Sequence, residues 1–166
     1  VESRADELDD AADRLDELSA LLESLPQRAT DMAGTRPFAR PMRGSQGAFS
    51  VPIEVLEHGP GYRRGRVWFR QFHHGANGAA HGGAIALLFD ELLGTLSNSD
   101  GRPAARTAYL TTNFRRIARI GVELRYEATI DRVEGRKVFS SGRLTDGEHL
   151  VADAEALFVQ LRPDQP

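Results

Sequence analysis

Residues 77–94, NGAAHGGAIALLFDELLG, run from a loop of glycine, alanine and one histidine into a strongly apolar helix. Two adjacent carboxylates, Asp90 and Glu91, sit near its middle. At 100° per residue, Ile85, Leu88, Phe89, Leu92, Leu93 and Leu96 form one broad apolar face that packs on a sheet. Gly83, Ala86, Asp90, Gly94 and Ser97 form a second stripe, small except for its carboxylate, where a backbone or ligand can approach closely. Glu91 falls beside Leu87 at the margin. A solvated helix face carries long charged chains, so this stripe reads as a confined space around Asp90. Asp90 is then either a paired structural carboxylate or a general base or nucleophile, since a partly dry carboxylate is a stronger base than one in water. Gly82 and Gly83 open the helix, where the first amides have no internal acceptor and the dipole favours negative charge. Glycine lets a substrate oxygen reach them, so an oxyanion site can be built without side chains.

Upstream, AFSVPIEVLEHGPGYRRGRVWFRQF reads as two strands joined by the turn HGPG. Downstream of a helix over about 82–97 and the loop NSDGRPA come four strand candidates, 106–115, 122–133, 137–146 and 149–161. The turns VEGRK and TDGEH join the last three. One apolar helix among antiparallel strands indicates an α+β fold. Residues 1–26 form an amphipathic helix in which Leu8, Ala11, Leu15, Leu18, Leu22 and Leu25 follow heptad spacing. Pro26 ends that helix. Residues 27–47 read as a linker, and the main domain occupies 48–162.

The 166 residues suffice for one core plus an appendage. A net charge of −3 gives no reason to expect nucleic acid or an anionic membrane as partner. The chain has no cysteine, which excludes disulfides, thiolate metal sites and a cysteine nucleophile. No apolar run is long enough to span a membrane. The acidic N-terminus lacks the apolar core of a signal peptide, so the protein is expected to be cytoplasmic. His73, His74 and His81 lack a fixed ligand frame, so no metal is expected. RRGR at 63–66 reads as an exposed turn rather than a nucleic-acid contact. The serine-hydrolase pattern G-x-S-x-G is absent.

HGGAIALLFDELLG resembles the signature of hotdog-fold acyl-CoA thioesterases of the PaaI and THEM type: H-G-G, six mostly apolar residues, then a catalytic acid. TAYLTTNFRRIARIG resembles that family's strand T-A-x-L-x-x-x-[FY]-x-R, and the last two hairpins resemble its closing strands. The likeness covers about residues 49–161. It implies a hotdog fold, with a long central helix wrapped by a curved antiparallel sheet of about six strands, here with the extra N-terminal helix. By the same resemblance the Gly82 amide polarises the thioester carbonyl, Asp90 activates water or attacks the carbonyl, and Thr107 supports water or acid. His81 holds the loop. Asn77 matches a loop amide that orients water in relatives, and Gly83 lies beside the substrate. Arg115, Arg116, Arg136 and Lys137 are candidates for the coenzyme A phosphates. The family often has proline where this chain has Ile117 and Arg119, which puts the shape of that turn in question. No cofactor is implied.

Gly82 and Asp90 are separated by about 12 Å along one helix axis, so one thioester carbon cannot meet both within a single chain. The site therefore requires two chains, which agrees with the family's interface sites. A homodimer, or a dimer of such dimers, is expected. The alternative is a non-catalytic acyl-CoA or lipid-binding protein on the same scaffold.

Overall fold

The computed structural model describes residues 10, 11, 13–15, 17, 18, 21 and 51–162. The chain divides into two compact units, Val1–Met32 and Ala33–Pro166. In the first, the described residues are helical and exposed. Arg14 pairs with Asp10 one turn earlier at 2.9 Å, and Leu15, Leu18 and Leu21 are open to solvent. The remainder of the expected N-terminal helix, with Leu8, Leu22 and Leu25, and the expected linker lie outside the described residues.

The second unit comprises β1 (Ile53–Gly59), β2 (Tyr62–Trp68), a short 3-10 turn (Gln71–His73), α1 (Gly82–Ser97), β3 (Ala105–Phe114), β4 (Glu123–Glu134), β5 (Lys137–Asp146) and β6 (His149–Gln160). The strands form one antiparallel sheet in the order β1-β2-β4-β5-β6-β3. Alternation sets its faces: Arg63, Gly65 and Val67 on β2, and Leu124, Tyr126 and Ala128 on β4, are buried while their neighbours are half-buried or exposed. Gly135 and Gly147, both at φ 58°, close the β4–β5 and β5–β6 hairpins in a conformation that favours glycine.

The helix lies across β3, β4, β5 and β6. Its six apolar-face residues are all buried, with Leu88, Phe89, Leu93 and Leu96 wholly so. A row of small side chains receives it. Ala128, Gly142, Ala154 and Thr112 stand in register across β4, β5, β6 and β3. A Cβ on Gly142 would lie 3.0 Å from the Phe89 ring, so the absence of a side chain at Gly142 makes room for that phenylalanine.

The small stripe on α1 is not open along its whole length. Ser97 is fully buried, and a Cβ on Gly94 would lie 3.3 Å from the ring of Phe158 on β6. The sheet curls round the C-terminal half of the helix and takes up the space that glycine leaves. Gly83, Ala86 and Asp90 remain accessible at least in part.

Candidate active site

The N-terminus of α1 is held by His81. Its backbone is extended (φ −62°, ψ 135°) and its imidazole Nδ1 accepts the Gly83 N–H at 3.0 Å, an N-cap that keeps the ring proton on Nε2 when the ring is neutral. The His81 carbonyl accepts from Ala84 at 2.9 Å and Ile85 at 3.3 Å. Three of the first four amides are thereby engaged. The fourth, Gly82 N–H, has no acceptor among the described residues. His81 thus caps the helix, and the Gly82 amide is left as a helix-terminal donor without an internal acceptor among the described residues.

The loop before the helix is pinned through its backbone. His81 N–H donates to the His73 carbonyl at 2.7 Å, Gly75 N–H to Ala79 at 2.8 Å, and Ala80 N–H to Ala118 at 2.7 Å. The Gly78 amide donates to His74 Nε2 at 3.2 Å. Asn77 sits at the exposed tip in the left-handed region (φ 54°), followed by Gly78 (φ 74°). Between this loop and the helix lies an open cleft of about 350 Å³, lined by Phe72, His73, His74, His81, Gly83, Ala84 and Leu87.

Asp90 lies two turns further along α1, half-buried, and its Oδ1 accepts a hydrogen bond from Thr107 Oγ1 at 2.9 Å. Two features position β3 for that contact. Asn98, just beyond the helix, donates through Nδ2 to the Gly94 carbonyl at 2.7 Å and accepts the Ala105 N–H at 2.7 Å through Oδ1. It therefore ties the end of α1 to the start of β3. The β3–β6 register then slips between Thr107 and Tyr109. Strict alternation would put Thr107 on the outer face with Tyr109 and Thr111. The bulge turns it to the helix face, with Leu110, Thr112 and Phe114. Glu91 is half-buried, and its backbone carbonyl accepts the Thr95 hydroxyl at 2.6 Å.

The four candidate phosphate contacts fall into two groups. Arg115 and Arg116 follow β3, with both amides bonded to the Val151 carbonyl at 2.9 and 3.0 Å. Arg136 and Lys137 occupy the β4–β5 turn, where Lys137 is in register with Val159. Val151 and Val159 are roughly 25 Å apart along β6, so one chain does not present all four as one patch. Arg115 is engaged by Asp153 at 2.6 Å, and Arg136 donates to the Gln160 carbonyl at 2.8 Å. Among the described residues Arg116 and Lys137 have no side-chain partner. The hydrogen bond from Arg115, assisted by Asn113 and by the charges of Arg115 and Arg143, holds the Asp153 carboxyl below the usual range against the opposing effect of burial.

Two contributors escape a reading of motifs. Asn98 shows only the weak signal of an asparagine just past a helix. Phe114 stands at an aromatic position of the strand pattern, and only the packing gives it a role.

The thioesterase superfamily profile matches residues 77–152, which contain the loop, the helix and most of the following strands. The protein named "Putative esterase PA0474" of Pseudomonas aeruginosa is 35% identical over 96 residues, covering 56% of this chain and 69% of that protein. The chain belongs to the thioesterase superfamily. This superfamily member is also similar to the mouse acyl-coenzyme A thioesterase THEM4, 34% identical over 94 residues, which cover 55% of this chain. It spans only 40% of the length of that relative. Among solved structures, the thioesterase superfamily protein RHA08564 superposes with a TM-score of 0.70 at 26% identity, over 92% of this chain and 78% of the other. The expected hotdog arrangement, six antiparallel strands wrapped round one long helix, is the fold observed.

Proposed function

We propose that the protein is an acyl-CoA thioesterase whose site is shared between two copies of the chain. The observation that carries this reading is the division of the chemistry between two places on α1. An open amide donor at Gly82 and an acid at Asp90, steadied by Thr107, are separated by about 12 Å along one helix. The Gly82 amide of one chain receives the carbonyl oxygen and the charge that develops on it. Asp90 of the other chain takes a proton from water as the water attacks the carbonyl carbon. The carbon–sulfur bond breaks, and the proton passes to the departing thiolate, giving a carboxylic acid and free coenzyme A. Thr107 orients Asp90 or the water.

β3 is an edge strand of ten residues whose far side is unpaired among the described residues, with Tyr109 and Phe114 about half exposed. Long bare edges of this kind are ordinarily covered. Antiparallel association of two copies along β3 covers it and brings opposite ends of the strand together. Gly82, Arg115 and Arg116 of one chain then meet Asp90, Thr107, Arg136 and Lys137 of the other. Arg116 and Lys137, the two cations without an internal partner, become the phosphate contacts. Coenzyme A thioesters are intracellular compounds, so the reaction is assigned to the cytoplasm.

The test is thiol release over a panel of acyl-CoA substrates, from short-chain through long-chain and aromatic. Asp90→Asn lowers kcat on the order of 10²–10⁴-fold with folding unchanged. Gly82→Pro removes the amide donor at the first helical position, where proline is well tolerated, and lowers kcat about 10²–10³-fold. Mixing the two inactive variants restores part of the activity, because a hybrid dimer contains one intact site. Binding of acyl-CoA without turnover assigns the scaffold to the non-catalytic alternative. Turnover by a monomer refutes the shared site.

A further inference from the structure

A row of inward-facing side chains crosses the sheet beside the N-terminal half of the helix. Tyr126 on β4, Leu144 on β5, Ala152 on β6 and Phe114 on β3 stand in successive register. The first three are 1%, 0% and 0% exposed, whereas Phe114 is 56% exposed. The phenylalanine occupies a core position in the pattern but extends past the cover of its own helix. It stands over Gly82: a Cβ built on that glycine would lie 3.4 Å from Phe114 Cζ and 3.6 Å from Cε1. The backbone beneath the ring is fixed, since the next two amides both bond to the Val151 carbonyl.

An oxygen hydrogen-bonded to the Gly82 amide lies about 2.7–3.1 Å from that nitrogen. The atoms attached to the same carbonyl carbon then come within van der Waals reach of the ring. An aromatic wall on one side of the carbonyl leaves a flat slot beside it. We propose that Phe114 is a specificity-determining residue that selects thioesters with an unbranched carbon next to the carbonyl. This rests on the thioesterase reading above and adds a substrate class to it. A straight-chain acyl group lies along the ring, and a methyl branch on the adjacent carbon collides with it. The ring also sheds water from the donor, which strengthens the hydrogen bond to the oxyanion.

The experiment compares kcat/KM for butyryl-CoA and isobutyryl-CoA, which differ only in branching, in the wild type and in Phe114→Ala, Phe114→Leu and Phe114→Tyr. The wild type prefers the straight chain. Phe114→Ala raises the branched-to-straight ratio about tenfold or more, the scale of one methyl group in an apolar pocket. Phe114→Leu gives an intermediate ratio, and Phe114→Tyr keeps that of the wild type. Thermal melting accompanies each variant, and the ratio is read on folded protein. An unchanged ratio in Phe114→Ala, with both substrates affected equally, overturns the proposal while leaving the thioesterase reading intact. No turnover of any acyl-CoA by the wild type overturns both.

Discussion

The two ends of α1 are built on opposite plans. At the C-terminal end Leu93, Leu96 and Ser97 have no exposed surface. The last carbonyls are taken up there by Asn98 and Ser99: the Asn98 backbone N–H bonds Gly94 and Leu96, its side chain also bonds Gly94, and the Ser99 hydroxyl donates to Leu96 at 2.7 Å. At the N-terminal end His81 and Gly83 are exposed and Gly82 is half-buried. Order there comes from backbone hydrogen bonds in the preceding loop together with the burial of His73, Ala80 and Ala118 beneath it. One end is packed against the core, and the other keeps an amide free of any acceptor among the described residues. The contrast shows one helix packed tightly at one end and carrying an amide without an acceptor among the described residues at the other.

Truncation at the two ends should therefore read out differently. Leu96→Ala has the largest expected effect on stability, a loss of about 2–5 kcal/mol in urea denaturation, because it empties a fully buried site. A loss below about 1 kcal/mol would mean that the anchored end is loose and would erase the contrast. Asn98→Ala removes the bonds to Gly94 and Ala105, at a cost of about 1–2 kcal/mol. It should also lower kcat, because the start of β3 and hence Thr107 lose their tie to the helix. An unchanged kcat would show that the bulge alone sets Thr107.

His81→Ala should cost only about 0.5–1.5 kcal/mol, one exposed hydrogen bond, yet lower turnover on the order of tenfold by freeing the Gly82–Gly83 turn. The disproportion between melting temperature and kcat is the measurement. The smallest effect concerns acid. Asp153 is held below the ordinary carboxylate range by Arg115, so its contribution is fully present above that range and fades as pH falls through the depressed native value. Asp153→Asn should flatten this part of the stability–pH curve, and an unchanged acid limb would remove Asp153 from the account.

The sequence alone was informative wherever local chemistry is periodic or punctuated. The 100° spacing of Ile85, Leu88, Phe89, Leu92, Leu93 and Leu96 fixed the helix and its buried face. Glycine-containing turns fixed the last two hairpins, and the H-G-G to Asp90 spacing singled out the two positions on which the proposed chemistry rests. The span from Gly82 to Asp90 follows from helical rise and needs no coordinates. Tertiary structure decided what depends on a break in period or on distant partners. A one-residue bulge moves Thr107 to the face opposite the one alternation assigns, and pattern reading has no signal for the extra residue. The sheet covers the stripe at Ser97 and crowds it at Gly94 but leaves Phe114 open, because coverage depends on where a helix ends relative to an edge strand. The split of the four cations between the two ends of β3 has the same origin: Lys137 and Arg115 are near in sequence, but antiparallel strands carry them to opposite ends of the sheet.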